Sequence, residues 1–270
     1  MIRYEEMRPA GLLSVYIEAY WRFDVDVAAA PFEHTVPLTG GVVITAMPAR
    51  RAVWITGPRV EPLRPHVSPG DVYCGAMLHP GAGAALLGLA GAALRGRQVM
   101  ASDVLGADWA DALSQRLRNV VDLQAAAAVF DAAFTPMLGR AAPLDTAILR
   151  AVAAVCDADG ALRIEPLARA SGLAPRTLRR RFRNAVGLTP KELARVRRLH
   201  AVAVDTLREA KTSWSSLAAA RGFADQAHLV DEFRQLTGLT PVAFAAYIRT
   251  IDHGPVEVGR FRQDRRDRPR

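Results

Sequence analysis

An α+β architecture is predicted, with a β-rich N-terminal half that ends in helices and an all-α C-terminal half. Three observations predict it. Short apolar runs punctuated by Gly and Pro fill the first hundred residues, an Ala/Leu-rich helical texture begins at Gly81, and one sequence pattern occurs twice late in the chain. The 270 residues, half of them hydrophobic by type and 23% charged, exclude whole-length disorder and the collagen and fibrous classes. Such a length suits two units of roughly 100–150 residues, each with its own core.

In chain order, strands are expected at Tyr16–Phe23, Val42–Thr45, Val53–Thr56 and Val72–Leu78. They are separated by Thr39-Gly40-Gly41, Gly57-Pro58 and Ser68-Pro69-Gly70. Strands at this spacing suggest a small barrel or sandwich. Helical patterns then cover 83–92, 108–119, 122–138 and 144–157, with Gly139 and Pro143 ahead of the last. A boundary is expected within 139–160, giving a domain over 1–140 and a second over 144–250. Residues 252–270 lack periodicity and are expected to be a disordered basic tail.

The second half carries an internal repeat: LARASGLAPRTLRRRFRNAVGLTP at 167–190 and LAAARGFADQAHLVDEFRQLTGLTP at 217–241. Each copy opens Leu-Ala, has Gly172 or Gly222 four residues later, and closes Gly-Leu-Thr-Pro. Leu178/Phe182 and Leu229/Phe233 answer each other at i, i+4 on one helix face. A duplicated helix-turn-helix is the physical reading, with units at about 163–187 and 214–238 joined by a helix over 190–209. Gly172 and Gly222 supply the positive φ that ends a first helix. Leu178/Phe182 and Leu229/Phe233 then anchor a second helix, expected at 175–186 and 225–236. Thr189-Pro190-Lys191-Glu192 is a capping box, and Leu193, Val196, Leu199, Ala203 and Leu207 form an apolar stripe behind it. Thr240-Pro241 opens a final helix through Phe244, Tyr247 and Ile248, and Trp214 reads as core.

Charge singles out the same half. Residues 1–150 hold 13 Lys/Arg against 14 Asp/Glu, whereas 151–270 hold 22 against 13, so the whole net +8 lies in the C-terminal part, almost all of it Arg. Arg176, Arg179, Arg180 and Arg183 recur at i+3, i+4 and i+7 beside the first anchor, with Thr177 among them. Such a helix fits the major groove, where Arg reads guanine bidentately and other Arg side chains hold phosphates. A merely solvated face would intersperse acids at i+4, and 169–191 contains none. Arg181 is assigned to phosphate or structure. In the second unit Asp225 is an N-cap, Gln226 and His228 are the candidate base readers, and Arg234 and Arg221 are candidates for phosphate. Asp231 and Glu232 would repel phosphate.

Taken together, Leu167-Ala168, Gly172, Leu178, Arg180-Arg181-Phe182, Gly187, Pro190, Arg198-Leu199, Ala218, Gly222-Phe223, Asp225-Gln226-Ala227-His228-Leu229, Phe233-Arg234 and Gly238-Leu239-Thr240-Pro241 resemble the AraC/XylS family of bacterial transcription regulators over about 160–248. The resemblance implies a sequence-specific regulator that inserts both second helices into successive major grooves of double-stranded promoter DNA. RNA polymerase and a second copy of the chain are the further partners it allows. In many members an Arg stands where this chain has Asp231, which removes a base contact from the expectation. The N-terminal half is similar, more loosely, to a β-rich domain that precedes this module in some relatives, through Tyr16-Ile17-Glu18-Ala19-Tyr20-Trp21, 37–44 and 79–88. That likeness implies a cupin-like domain that senses a small-molecule effector.

The other signals point away from catalysis. His34, His66 and His79 form no H-x-H pair, and His200 falls on the connecting helix, so no metal or other cofactor is expected. Cys74 in a strand reads as a buried small hydrophobe, and with Cys156 it is too little for a disulfide framework. Neither a Gly-x-Ser-x-Gly elbow nor a phosphate-binding Gly loop is present, so no enzyme is expected. Trp21, Trp54, Tyr20 and Tyr73 are candidates to line an apolar effector pocket. With neither a targeting pattern nor a membrane-length apolar run, the cytoplasm is the expected location. The alternative is a metal- or thiol-dependent enzyme or sensor in the N-terminal half with an accessory nucleic-acid-binding domain.

Overall fold

The structure is a computed structural model that describes residues 1–160, 164–208 and 213–253. Of the tail expected over 252–270, residues 254 onward lie outside the described residues, as do residues 163 and 209 at the expected ends of the first unit and the connecting helix, while Asp252 pairs with Arg3 in a strand instead. In chain order the elements begin with strands β1 (Ile2–Met7), β2 (Ile17–Val25), β3 (Phe32–Glu33), β4 (Val43–Met47), β5 (Ala52–Thr56), β6 (His66–Val67) and β7 (Val72–Leu78). Helices α1 (Gly83–Leu86) and α2 (Gly91–Leu94), strand β8 (Gln98–Met100), and helices α3 (Ala101–Leu105), α4 (Ala107–Leu117) and α5 (Leu123–Phe134) follow. The remainder is α6 (Thr146–Asp157), α7 (Ile164–Ser171), α8 (Pro175–Val186), α9 (Pro190–Arg208), α10 (Trp214–Ala220), α11 (Gln226–Thr237), α12 (Pro241–Ile248) and strand β9 (Ile251–Asp252).

The class is α+β as predicted. Seven strands form one sheet in the order β8-β5-β4-β7-β2-β1-β9, and β3 pairs with β6 apart from it. The sheet is open, with β8 and β9 as its edges, rather than a closed barrel. Its pairs are antiparallel except β1 with β9, where Ile2 faces Ile251 in parallel register. The C-terminal end of the described chain thus completes the N-terminal sheet. One face of the sheet packs on α4 and α5, burying Ile44, Ile55, Leu78, Leu113, Phe130 and Phe134. Each such side chain contributes about 1.5–3 kcal/mol on leaving water. Tyr20 lies on this face, stacked on Phe130 at 5.7 Å with its hydroxyl donating to Asp131 at 2.5 Å. It is therefore a core residue and not part of a pocket.

Several local expectations are corrected. The helix expected over 83–92 is two single turns, because Gly88 sits at φ +70 and Ala90 is extended. The helix expected over 122–138 ends at Phe134 and tightens into a 3-10 segment, Thr135–Arg140, where Pro136 cannot continue the ladder. The β2 strand runs on to Val25, and β1, β8 and β9 are strands that the sequence pattern did not mark. Leu207, assigned to the apolar stripe of α9, is 39% exposed.

The helical half has two cores. One joins α6, α7 and α8 with the start of α9 through Ile148, Val155, Leu167, Leu178, Phe182 and Leu193. The other joins α9 to α10, α11 and α12 through Val196, Val202, Leu217, Leu229, Phe233 and Phe244. Gly172 and Gly222 stand at φ +68 and +70, as a turn between helices requires.

Candidate nucleic-acid interface

α8 begins at Pro175 in the first helical position and ends at Gly187, φ +83, whose N–H donates to the Arg183 carbonyl. Leu178 and Phe182 are fully buried, which turns the rest of the helix outward. Arg176, Arg179, Arg180 and Arg183 are exposed there and Thr177 is half-buried. No acidic residue stands in its first turn, so its N-terminal dipole adds to the cationic field. Arg181 leaves this set. Its guanidinium grips Asp145 through two hydrogen bonds of 2.8 and 2.7 Å. Asp145 also caps α6 by accepting from the Ile148 N–H, so Arg181 is structural.

α11 presents a different surface. Asp225 caps it, accepting from the His228 N–H at 2.8 Å, while the Ala224 N–H donates back to His228 Nδ1 at 3.2 Å. That reciprocal cap fixes Nδ1 as an acceptor and leaves Nε2 facing Glu232 at 3.8 Å. His228 is exposed but committed, whereas Gln226 and Arg234 are exposed without such a role. Glu232 is held by Arg195 of α9 at 2.8 and 3.0 Å, and Arg195 also donates to Gln235. Of the two acids expected to repel phosphate, only Asp231 remains exposed, 4.0 Å from Arg234.

Arg221 is half-buried and held in ion pairs with Asp205 at 2.7 Å and Asp159 at 2.6 Å, so it is a strut between α6, α9 and α10 rather than a phosphate contact. Arg198 donates to the Gly222 carbonyl and lies 5.0 Å over the Phe223 ring. Arg95 and Arg195 escaped sequence reasoning, since nothing local marks a surface Arg whose partner is 97 or 37 residues away.

The other sheet face, with α9, α12 and the 34–65 region, encloses a cavity of about 840 Å³. Trp21, Trp54 and Tyr73 line it as expected, together with Phe23, His34 and Tyr247. Among the described residues, the buried Trp21 indole N–H finds no hydrogen-bond partner. Burial drives the His34 pKa down to about 4, and its Nδ1 is bonded to the Tyr247 hydroxyl. Among its lining residues Arg197 of α9 pairs with Glu18 of β2 at 3.2 Å; burial opposes its charge, but Glu18 and Cys156 together outweigh burial and keep it protonated. Burial likewise pushes the Cys74 thiol up to about 11, so it carries no thiolate near neutral pH. Among the described residues, no three His, Cys, Asp or Glu side chains gather as a metal site. No helix among them is long and apolar enough to cross a membrane.

Residues 167–247 match the family model described as "Helix-turn-helix domain". No curated protein matches the chain. Among solved structures, the C-terminal domain of AraT, a response regulator from Geobacillus stearothermophilus, is 19% identical with a TM-score of 0.35, over 41% of this chain and 89% of that one. Unsaturated fatty acid-bound ToxT from Vibrio cholerae is 10% identical with a TM-score of 0.44, over 94% of this chain and 97% of that one. ToxT from Vibrio cholerae O395 is 9% identical with a TM-score of 0.41, over 91% and 96%. Likenesses this slight establish no shared ligand.

Proposed function

From the premise that residues 167–247 are a helix-turn-helix domain of the AraC type, we propose that the chain is a sequence-specific DNA-binding transcription regulator of the bacterial cytoplasm. The observation that carries this reading is the acid-free stripe of exposed Arg176, Arg179, Arg180 and Arg183 on a helix whose opposite side is locked by Leu178 and Phe182. α8 enters a major groove; Arg179 and Arg180, with Thr177, read base edges, and Arg176 and Arg183 add phosphate contact. α11 enters the next groove face with Gln226 and Arg234, and His228 contributes through Nε2. The 19 residues of α9, about 28 Å of helix, join the two units.

The domain division at about 140–144 gives residues 1–140 the regulatory role. The 840 Å³ cavity is large enough for a small-molecule effector, and its aromatic walls favour a largely apolar one. RNA polymerase and a second copy complete the expected partners.

Selection of bound fragments from a random duplex library, with unrelated duplex as competitor, tests the reading. The regulator enriches one motif that competitor does not displace. Equal retention of all sequences contradicts it and marks a nonspecific binder.

A further inference from the structure

The segment from Gly57 to Pro65, between β5 and β6, leaves the sheet and crosses to the helical half. It is pinned at both ends. The Gly57 N–H donates to Arg97 and the Gly96 N–H to Pro58, both at 2.9 Å, while the Val36 and His34 N–H groups donate to Leu63 and Pro65 at 3.0 and 2.9 Å. Pro58, Pro62 and Pro65 fix φ along it, so it is a stiff arch.

The arch touches the same place in both repeats. Gly187 and Gly238 are the left-handed residues that end α8 and α11. A Cβ added at Gly187 would stand 2.6 Å from Pro58 Cγ, and one at Gly238 3.5 Å from Arg64 Cδ and 3.8 Å from Pro62 Cβ. Between these two contacts Val60 packs against both helical cores at once, and Leu38 of the N-terminal half is buried in the second core.

From this placement we infer that Val60, carried on the 57–65 arch, is a positioning residue that fixes the relative setting of the two reading helices, and with it the spacing of the DNA elements they accept. The inference rests on the proposed reading that both units engage one duplex. Moving one element by a single base pair shifts the second helix by about 3.4 Å and turns it by about 34° around the axis. A stiff wedge seated in both cores resists that displacement. Within the helical half the units are joined by α9, with the Arg195–Glu232 tie, and by the Arg221 strut to Asp159 and Asp205. Spacing selectivity therefore belongs to the N-terminal half as much as to the helical half.

The test uses the full chain and the duplex recovered by selection, alongside two derivatives with one base pair inserted or removed between its two elements. Wild type prefers the recovered spacing by about tenfold or more. Val60→Ala narrows that preference about threefold or more while binding the recovered duplex nearly as before, and Val60→Ile retains it. Where Val60→Ala fails to fold, Pro62→Ala, which loosens the arch without entering either core, narrows the preference in the same way. An unchanged preference in the folded variant, or a wild type indifferent to spacing, overturns the inference. A wild type that enriches no motif fails earlier, at the DNA-reading function itself.

Discussion

Arg181 and Arg183 sit two residues apart on α8 and are predicted to behave in opposite ways. Arg183→Ala is expected to weaken binding to every duplex and to lower the slope of log affinity against log salt by about one unit, measured by titration at several salt concentrations. Arg181→Ala, which breaks only the Asp145 pair, leaves that slope unchanged and costs about 0.5–1 kcal/mol of stability in denaturant melts, because the pair is partly exposed. On α11, Asp231→Arg is predicted to raise affinity for unrelated duplex, since Asp231 is the exposed acid once Arg195 has neutralised Glu232. A fall in affinity there would assign Asp231 a specific contact, such as accepting from a cytosine amino group.

Among elements, the turn between α8 and α9 is gripped by the N-terminal half. Arg95, just past α2, donates to the Gly187 carbonyl at 3.1 Å and clamps Glu192 at 2.9 and 2.7 Å. Glu192 simultaneously closes the capping box with Thr189, and the Arg95 guanidinium above all holds its carboxyl down to about 2. α2 can approach because Gly91 has no side chain: a Cβ there would lie 2.3 Å from the Ala185 carbonyl oxygen. Gly91→Ala is therefore predicted to cost about 1–3 kcal/mol of stability by thermal or denaturant melting, as overpacking does.

The sequence made α8 legible to the residue, and the capping box, Asp225 cap and paired anchors with it, because each is a local pattern of a few residues. β1 and β9 were not legible. β1 carries Tyr4, Glu5 and Glu6 where a clean alternation is expected, and β9 is two residues whose strand character comes from pairing with Ile2 and Arg3 across the molecule. The internal partners of Arg221 and His228 escaped sequence reasoning for the same reason: Asp159 and Asp205, or a reciprocal backbone cap, meet them only after folding.

Across the whole molecule, the two halves share contacts at β1–β9, Arg95–Glu192, Glu18–Arg197 and His34–Tyr247. The burial of His34 gives the assembly a pH dependence. With a folded pKa near 4 against an ordinary value near 6.5, the unfolded chain binds the extra proton between those limits. Stability is thus full above about pH 6.5 and falls as pH drops through that window. Melting temperatures of wild type and His34→Asn, compared from pH 7 to 4, are predicted to converge as wild type loses this contribution. Charge shows the same division of labour: the N-terminal 150 residues are nearly neutral, and much of the excess lies on α8. The claim that α8 is the principal reader is tested most directly by repeating the duplex selection with Arg179→Ala and Arg180→Ala. The account predicts a weakening of about 1–3 kcal/mol and loss of base preference confined to one element of the motif. An unchanged motif bound with unchanged affinity would contradict it.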